Sequence, residues 1–342
     1  MGEPIDIRTK KKIYQHFHSK KFNKELVFES LERNMIVHWA SWGKLQQSWF
    51  SRAYLKFKDL DKYIVLIYLM RDHWQNLSDQ FQYLSLEEFY GQKHLVIDKI
   101  NLIKISEELN IPKETIRRKV NELQDEGILN REGKKIVMNQ EALLVLSPEK
   151  ALDLLSSFLE KQSQLLKEEN WFGEFISKEE IKKYFKKFFT IMWLRFYKLQ
   201  IPYLIRNRNI FKDTETWMVW VNIAINHQYN LSKFEENNLI KKEKIISTDN
   251  YHSSIVNIEV GSGVNASSIS DISSIPRATV IRKLKWLVAE NLVKKNKNLE
   301  YMLSYKGKLN KKLEHNLQNN RIYVSEFLTD IFDYMKNSNF RL

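Results

Sequence analysis

The sequence predicts a mainly α-helical protein: two tandem copies of a helix, tight turn, helix and β-hairpin module, joined by connecting helices. Three observations predict it. Nine Gly and five Pro in 342 residues are few, which favours helices joined by short loops over a β architecture with its frequent turns. Apolar residues at 43% and aromatics at 13% supply ample core, and the length suits two domains. Most informative, "IPKETIRRKVNELQDEGIL" from Ile111 to Leu129 returns as "IPRATVIRKLKWLVAENLV" from Ile275 to Val293, 164 positions later (275 − 111).

A second block recurs in the same order. "FKDLDKYIVLIYLMRDHWQNLS" (Phe57 to Ser78) matches "FKDTETWMVWVNIAINHQYNLS" (Phe211 to Ser232) 154 positions on (211 − 57), with His73 and His227 in equivalent places. Two matched blocks in one order indicate a duplicated module. The copies are placed at 45–146 and 185–310. An N-terminal basic segment at 1–44, expected to be helical, precedes them, connecting helices fill 147–184, and a C-terminal helix covers 311–342.

Within the first copy, Tyr63, Leu66, Ile67 and Met70 make one buried stripe of a long first helix, as Trp217, Trp220, Val221 and Ala224 do in the second. Ile105 and Leu109 give the stripe of a short helix. Asn110 and Ile111 leave room only for a tight turn, and Pro112 suits the first position of the next helix because that position needs no backbone donor. Ile116, Val120 and Leu123 face the core of that helix, which Gly127 ends by adopting positive φ. Ile128 and Leu129, the tip "NREGKK" and "IVM" then read as strand, turn and returning strand. The second copy departs at three places: Asn291 stands for Gly127, Ile281 for Arg117 and Ser273 for Leu109. Its contacts are therefore expected to be weaker or differently specific.

This arrangement resembles the winged helix-turn-helix of bacterial MarR-like and GntR-like transcriptional regulators. The resemblance rests on Ile111, Pro112, Thr115, Ile116, Arg118, Leu123, Gly127 and Ile128, and on Ile269, Ile272, Ile275, Pro276, Thr279, Val280, Arg282, Leu284 and Leu287 in the second copy. It spans about 40 residues of each copy and is more specific for fold than for family. It implies sequence-specific binding of double-stranded DNA in transcription regulation, in the cytoplasm with the nucleoid.

Residue chemistry suits that implication. With the apolar stripe inward, Lys113, Glu114, Arg117, Arg118 and Asn121 line the outer side of the second helix, with Thr115 near its start, and the corresponding set in the second copy is Arg277, Thr279, Arg282, Lys283 and Lys285. Arg pairs with guanine edges, Asn with adenine, and a Thr near a helix start bonds a phosphate oxygen. Hairpin cations Arg131, Lys134 and Lys135, and Lys294, Lys295 and Lys297, would lie beside the backbone or minor groove. Carboxylates are sparse there apart from Glu114 and Glu132. Net charge is +13 (55 − 42), and "RTKKKIYQHFHSKK" is a candidate basic arm. The competing interpretation is a set of solvated polar faces in a composition rich in Lys. A fused pair could place two recognition helices about 34 Å apart, one turn of duplex, within one chain.

Other classes find less material. The absence of Cys excludes disulfides and thiolate chemistry, no Gly-rich phosphate loop precedes a helix, and "GSG" at 261–263 reads as a flexible loop. The His residues lack a metal-ligand pattern, so neither an enzyme nor a cofactor is expected. No run is long enough to span a membrane: "FFTIMWLRFYKLQIPYLI" carries Arg195 and Lys198 and is broken by Pro202, as for a buried or interfacial helix. Among connecting helices, Ser147 and Pro148 start one whose Leu152, Leu155, Leu159 and Leu166 share a face, and Ser177 with Glu180 forms a capping box. These pack within the chain or pair with a second one, and Leu309, Leu313 and Leu317 offer another surface for a homodimer. A plasmid- or phage-type replication initiator and a winged-helix interaction scaffold in chromosome maintenance are the alternative functions.

Overall fold

The computed structural model describes residues 23–92, 94–97, 100–133, 135–139, 149–169, 175–236, 261–304 and 306–337. Among them thirteen helices and two small antiparallel sheets run in an order that repeats. The first half contains α1 (Lys24–Arg33), α2 (Met35–Phe57), α3 (Leu60–Asp79), α4 (Leu86–Tyr90), β1 (His94–Ile97), α5 (Leu102–Leu109), α6 (Lys113–Asp125), β2 (Asn130–Glu132), β3 (Lys135–Asn139) and α7 (Glu149–Glu168). The second contains α8 (Lys178–Lys187), α9 (Phe189–Phe211), α10 (Thr214–Glu236), α11 (Ala266–Ser273), α12 (Arg277–Ala289), β4 (Val293–Lys295), β5 (Tyr301–Leu303) and α13 (Asn310–Asn337).

Equivalent helices start at equivalent places: α1 and α8, α2 and α9, and α3 and α10 each lie 154 positions apart (178 − 24, 189 − 35, 214 − 60). The repeat therefore begins before α2, which runs unbroken through position 45. Trp39, Lys44, Leu45, Gln46, Arg52 and Phe57 of α2 recur as Trp193, Lys198, Leu199, Gln200, Arg206 and Phe211 of α9.

The core is built around α2 and α9. Each packs against the long helix of the opposite half, α2 on α10 and α9 on α3. Contacts that run both ways between equivalent elements are what a two-fold relation requires. At the centre two equivalent residues meet: Gln46 Nε2 donates to Gln200 Oε1 at 3.1 Å, and Gln200 Nε2 donates back to Gln46 Oε1 at 2.7 Å, both side chains fully buried. Aromatic pairs flank them symmetrically, Trp49 with Phe196 at 4.9 Å and Trp42 with Tyr203 at 5.4 Å between ring centroids.

The end helices lock the halves together. α7 packs on α2 of its own half and on α8 of the other, and α13 packs on α9 of its own half and on α1 of the other. Lys178 and Lys182 of α8 each reach Asp153 of α7 at 2.8 Å, and Arg321 of α13 reaches Glu32 of α1 at 3.1 Å. Leu152, Leu155, Leu159 and Leu166 are buried here, as is Leu313 against the same core, so these leucines pack within the chain. Ser177 and Glu180 make the expected capping box, whereas Ser147 and Pro148 lie outside the described residues.

Two expectations change. Pro202 does not break α9, which continues to Phe211. A proline inside a helix costs roughly 3 kcal/mol, and burial of Trp193, Phe196, Leu199, Ile201 and Leu204 on all sides of this helix offsets it. Likewise α3 is no single-striped helix: Ile64, Val65, Tyr68 and Leu69 are buried along with Tyr63, Leu66, Ile67 and Met70, because α9 covers one side and α6 another.

The paired amides supply a test. Gln46→Leu or Gln200→Leu alone strands one buried amide and is expected to cost about 1 to 3 kcal/mol. The double replacement should be less harmful than the two singles added. Urea unfolding of all four proteins measures this coupling; additive losses would show that the amides do not act as a pair.

Candidate nucleic-acid interface

In both halves a short helix, a turn and a second helix are built from the same local chemistry. Asn101 caps α5 and Asn265 caps α11, each side chain accepting from backbone N–H groups of the first turn. Asn110 and Ser274 then adopt the left-handed conformation, at φ 50° and 61°. Ser106 Oγ donates across the turn to the Ile111 carbonyl at 2.7 Å, and Ser270 Oγ does the same to Ile275 at 2.7 Å. Pro112 and Pro276 occupy the N-cap of α6 and α12 rather than the first helical position. Their extended ψ leaves each carbonyl free to accept the first helical bond, from Ile116 and Val280 at 3.0 Å. Both helices end on a positive φ, 70° at Gly127 and 54° at Asn291.

The first hairpin begins later than expected. Ile128 and Leu129 are buried ahead of the strand, and pairing runs from Asn130 with Val137 to Glu132 with Lys135. A third strand that the sequence reading missed, β1, pairs with β3 along His94–Ile97, giving the order β1-β3-β2. Its only signal was "HLVI", four residues without a clear period. In the second half Val264, just after the "GSG" stretch, forms a bridge to Tyr301, so that stretch leads directly into the sheet.

Most of the predicted interface residues lie outward. Lys113, Arg117, Arg118, Asn121, Arg131 and Lys135 are exposed in the first half, and Arg277, Arg282, Lys285, Lys294, Lys295 and Lys297 in the second. Thr115 and Thr279 are half-buried, and Lys134 and the basic stretch of residues 1–22 lie outside the described residues. Arg117 pairs with Glu114, and Arg118 lies 3.6 Å from Glu122. Arg277 Nε donates to Ser267 Oγ at 3.1 Å, and Lys295 stands 5.7 Å above the Tyr301 ring. Arg282 forms no ion pair with a described residue. Ile272 is exposed and contributes nothing to the core.

Lys283 is the exception. Its side chain is only 14% exposed and is ion-paired to Asp213, the aspartate of the repeated Phe-Lys-Asp sequence. Its counterpart Lys119, 7% exposed, pairs with Asp59 at 2.7 Å and with Glu122 at 2.9 Å. Each aspartate also caps the long helix behind: Asp59 accepts from the Lys62 N–H at 2.8 Å and Asp213 from the Thr216 N–H at 2.7 Å. One carboxylate thus caps the start of α3 or α10 and grips the inner cation of α6 or α12. A helix turns about 100° per residue, so gripping Lys119 and Lys283 sets the outward direction of Arg118 and Arg282, one residue earlier.

The titration behaviour follows from this geometry. Burial opposes the charge on Lys119, but its bonds to Asp59 and Glu122 outweigh burial and hold its pKa above the usual lysine value. Burial likewise pushes Asp213 up, and bonds from Lys283 and Thr216 more than reverse it, leaving the carboxyl below its ordinary range.

The two halves differ behind the turn. Arg208 at the end of α9 bonds both Asp61 oxygens at 3.1 Å and reaches the Asn110 carbonyl at 3.4 Å, while Asn110 Nδ2 donates to Asn209 at 3.0 Å. The equivalent of Asp61 is Glu215 in the second half, and the equivalent of Arg208 is Tyr54 in the first. Lacking that arginine, half-buried Glu215 has its pKa raised, by burial first and then by Asp213 and Asp61.

Among the described residues no group of His, Asp and Glu side chains could hold a metal ion, and no helix is long and apolar enough to cross a membrane. No family model, curated protein or solved structure matches this chain.

Two pH-dependent outcomes follow. Asp213 stabilises the fold fully above the ordinary carboxylate range, and that contribution disappears as pH falls through its depressed value. Asp213→Ala should cost about 1 kcal/mol for the cap and about 1.5 to 3 kcal/mol for the charged bond at pH 7, with the deficit shrinking in acid. Glu215 has the opposite sign: its ionisation opposes folding once pH exceeds the ordinary carboxylate value. Glu215→Gln should therefore raise the urea midpoint at pH 7, with the gain vanishing below about pH 4. An unchanged midpoint at pH 7 would count against the burial of that charge.

Proposed function

We propose that this chain binds double-stranded DNA in a sequence-specific manner through two winged helix-turn-helix units, and acts as a transcriptional regulator. One observation carries the reading: α6 and α12 are held by equivalent Asp–Lys grips that leave Arg118 and Arg282 exposed at equivalent positions, each beside a hairpin bearing further cations. A rigidly oriented cationic helix beside a basic hairpin is the combination that major-groove reading needs. In this reading Arg118 and Arg282 donate pairs of hydrogen bonds to guanine edges, and Thr115 and Thr279 bond phosphate oxygens at the helix starts. Arg131, Lys135, Lys294 and Lys295 neutralise the flanking backbone. No catalytic role and no cofactor enter this reading.

The test is site selection from random duplexes, followed by anisotropy titration at several salt concentrations. Enrichment of a common site and a steep loss of affinity with salt are expected. Arg118→Ala and Arg282→Ala should each weaken specific binding by about 1 to 3 kcal/mol and relax preference at one base pair. Lys135→Ala should weaken all sequences alike and lower the salt slope by about one. No enriched site together with salt-independent binding would reject the proposal.

A further inference from the structure

We propose that a single chain is a complete reading unit for an asymmetric DNA site, with two inverted half-sites that share one guanine position and differ at two others. This rests on the DNA-binding reading above and adds the form of the target and the residues that set it.

The inverted arrangement follows from the packing. Contacts between halves are reciprocal, α2 on α10 and α9 on α3, α7 on α8 and α13 on α1, and Gln46 bonds its own counterpart, Gln200. A residue touches its equivalent in this way when the halves are related by a two-fold rotation, not by a translation. Two reading helices related by rotation approach half-sites of opposite polarity, so a direct repeat does not fit. One chain suffices because α7 and α13, which could have joined two subunits, are used to join the two halves.

The asymmetry follows from comparing α6 and α12 position by position, with Lys119 and Lys283 as the shared anchor. Arg118 and Arg282 correspond, both exposed, and predict the same guanine contact in each half-site. Asn121 corresponds to Lys285, an adenine reader against a guanine reader. Arg117 corresponds to Ile281, half-buried, whose methyl surface suits the thymine C5-methyl group. The last difference is concerted: Arg117 is paired with Glu114, and the second half carries Ala278 and Ile281 in place of both members. Removing both partners leaves no stray carboxylate facing phosphates, consistent with two heads that read different bases.

The experiment uses the full chain. The selected site is compared with two perfect palindromes made by duplicating either half, and native mass spectrometry counts chains per duplex. Expected are one chain per duplex, inverted halves sharing one G·C pair, and about ten- to hundredfold weaker binding to each palindrome. The variant Ala278→Glu, Ile281→Arg, Lys285→Asn should shift preference to the palindrome built from the first half-site, and its circular dichroism and unfolding midpoint check that it remains folded. Equal or tighter binding of the native chain to a palindrome, selection of a direct repeat, or two chains on one site overturns this inference while leaving DNA binding intact. Failure to enrich any site overturns the underlying reading instead.

Discussion

Two buried amides set the frame for everything outside them. Gln46 and Gln200 each bring a carbonyl oxygen and an NH2 group away from water, and each oxygen accepts one N–H of the other. In a low-dielectric interior an unpaired amide is costly, so sliding α2 along α9 by one residue would strand both. The flanking aromatic pairs are compatible with several offsets, because apolar contact is not directional; the amides select one. Since α10 rests on α2 and α3 rests on α9, that single register places both long helices, and through them α6 and α12.

Position is passed outward by charge. Asp59 and Asp213 stand where α3 and α10 begin and where α6 and α12 pass closest, and each serves both helices through separate hydrogen bonds. A capping side chain is already ordered, so its second bond to lysine orders little more. Fusion of the halves then permits what a homodimer forbids. In a symmetric dimer every substitution appears twice, whereas here Glu215 opposes Asp61 and Ile281 opposes Arg117 singly. Among the described residues, the bonds from Arg208 and Asn209 that brace the first turn have no counterpart behind the second, where Tyr54 and Leu55 stand instead, so the duplication has diverged in support as well as in surface.

What the sequence disclosed was what local spacing encodes. Stripes such as Ile116, Val120 and Leu123, the endings at Gly127 and Asn291, and the turn prolines all depend on neighbours within a few positions. Lys283 reads as outward in sequence because its partner Asp213 lies 70 positions away, and a lysine on a basic helix carries no mark of burial. The likeness of α2 and α9 is faint in sequence because six shared residues are diluted among seventeen unlike ones of a 23-residue helix, with the Lys-Leu-Gln triplet as its one continuous trace. Pro202 misled for the opposite reason: its local cost is real, but tertiary burial decides. The leucine faces of α7 and α13 announced burial without naming their partner, which is the usual limit of amphipathic patterns.

The electrostatics also show why net charge is a poor guide to a binding face. Of the cations on α6, Lys119 is consumed by the grip, Arg117 by Glu114, and Arg118 lies close to Glu122. On α12 the grip consumes Lys283, but Arg282 has no described ionic partner and Ala278 and Trp286 replace the two glutamates. α12 is thus the more purely cationic of the two helices. On the proposed reading the halves contribute unequally. A first head whose arginines stand beside Glu114 and Glu122 carries less net positive charge and contributes less counterion release. A second head with less internal pairing contributes more counterion release per contact and favours affinity. A fused chain can combine the two, since its halves need not be alike.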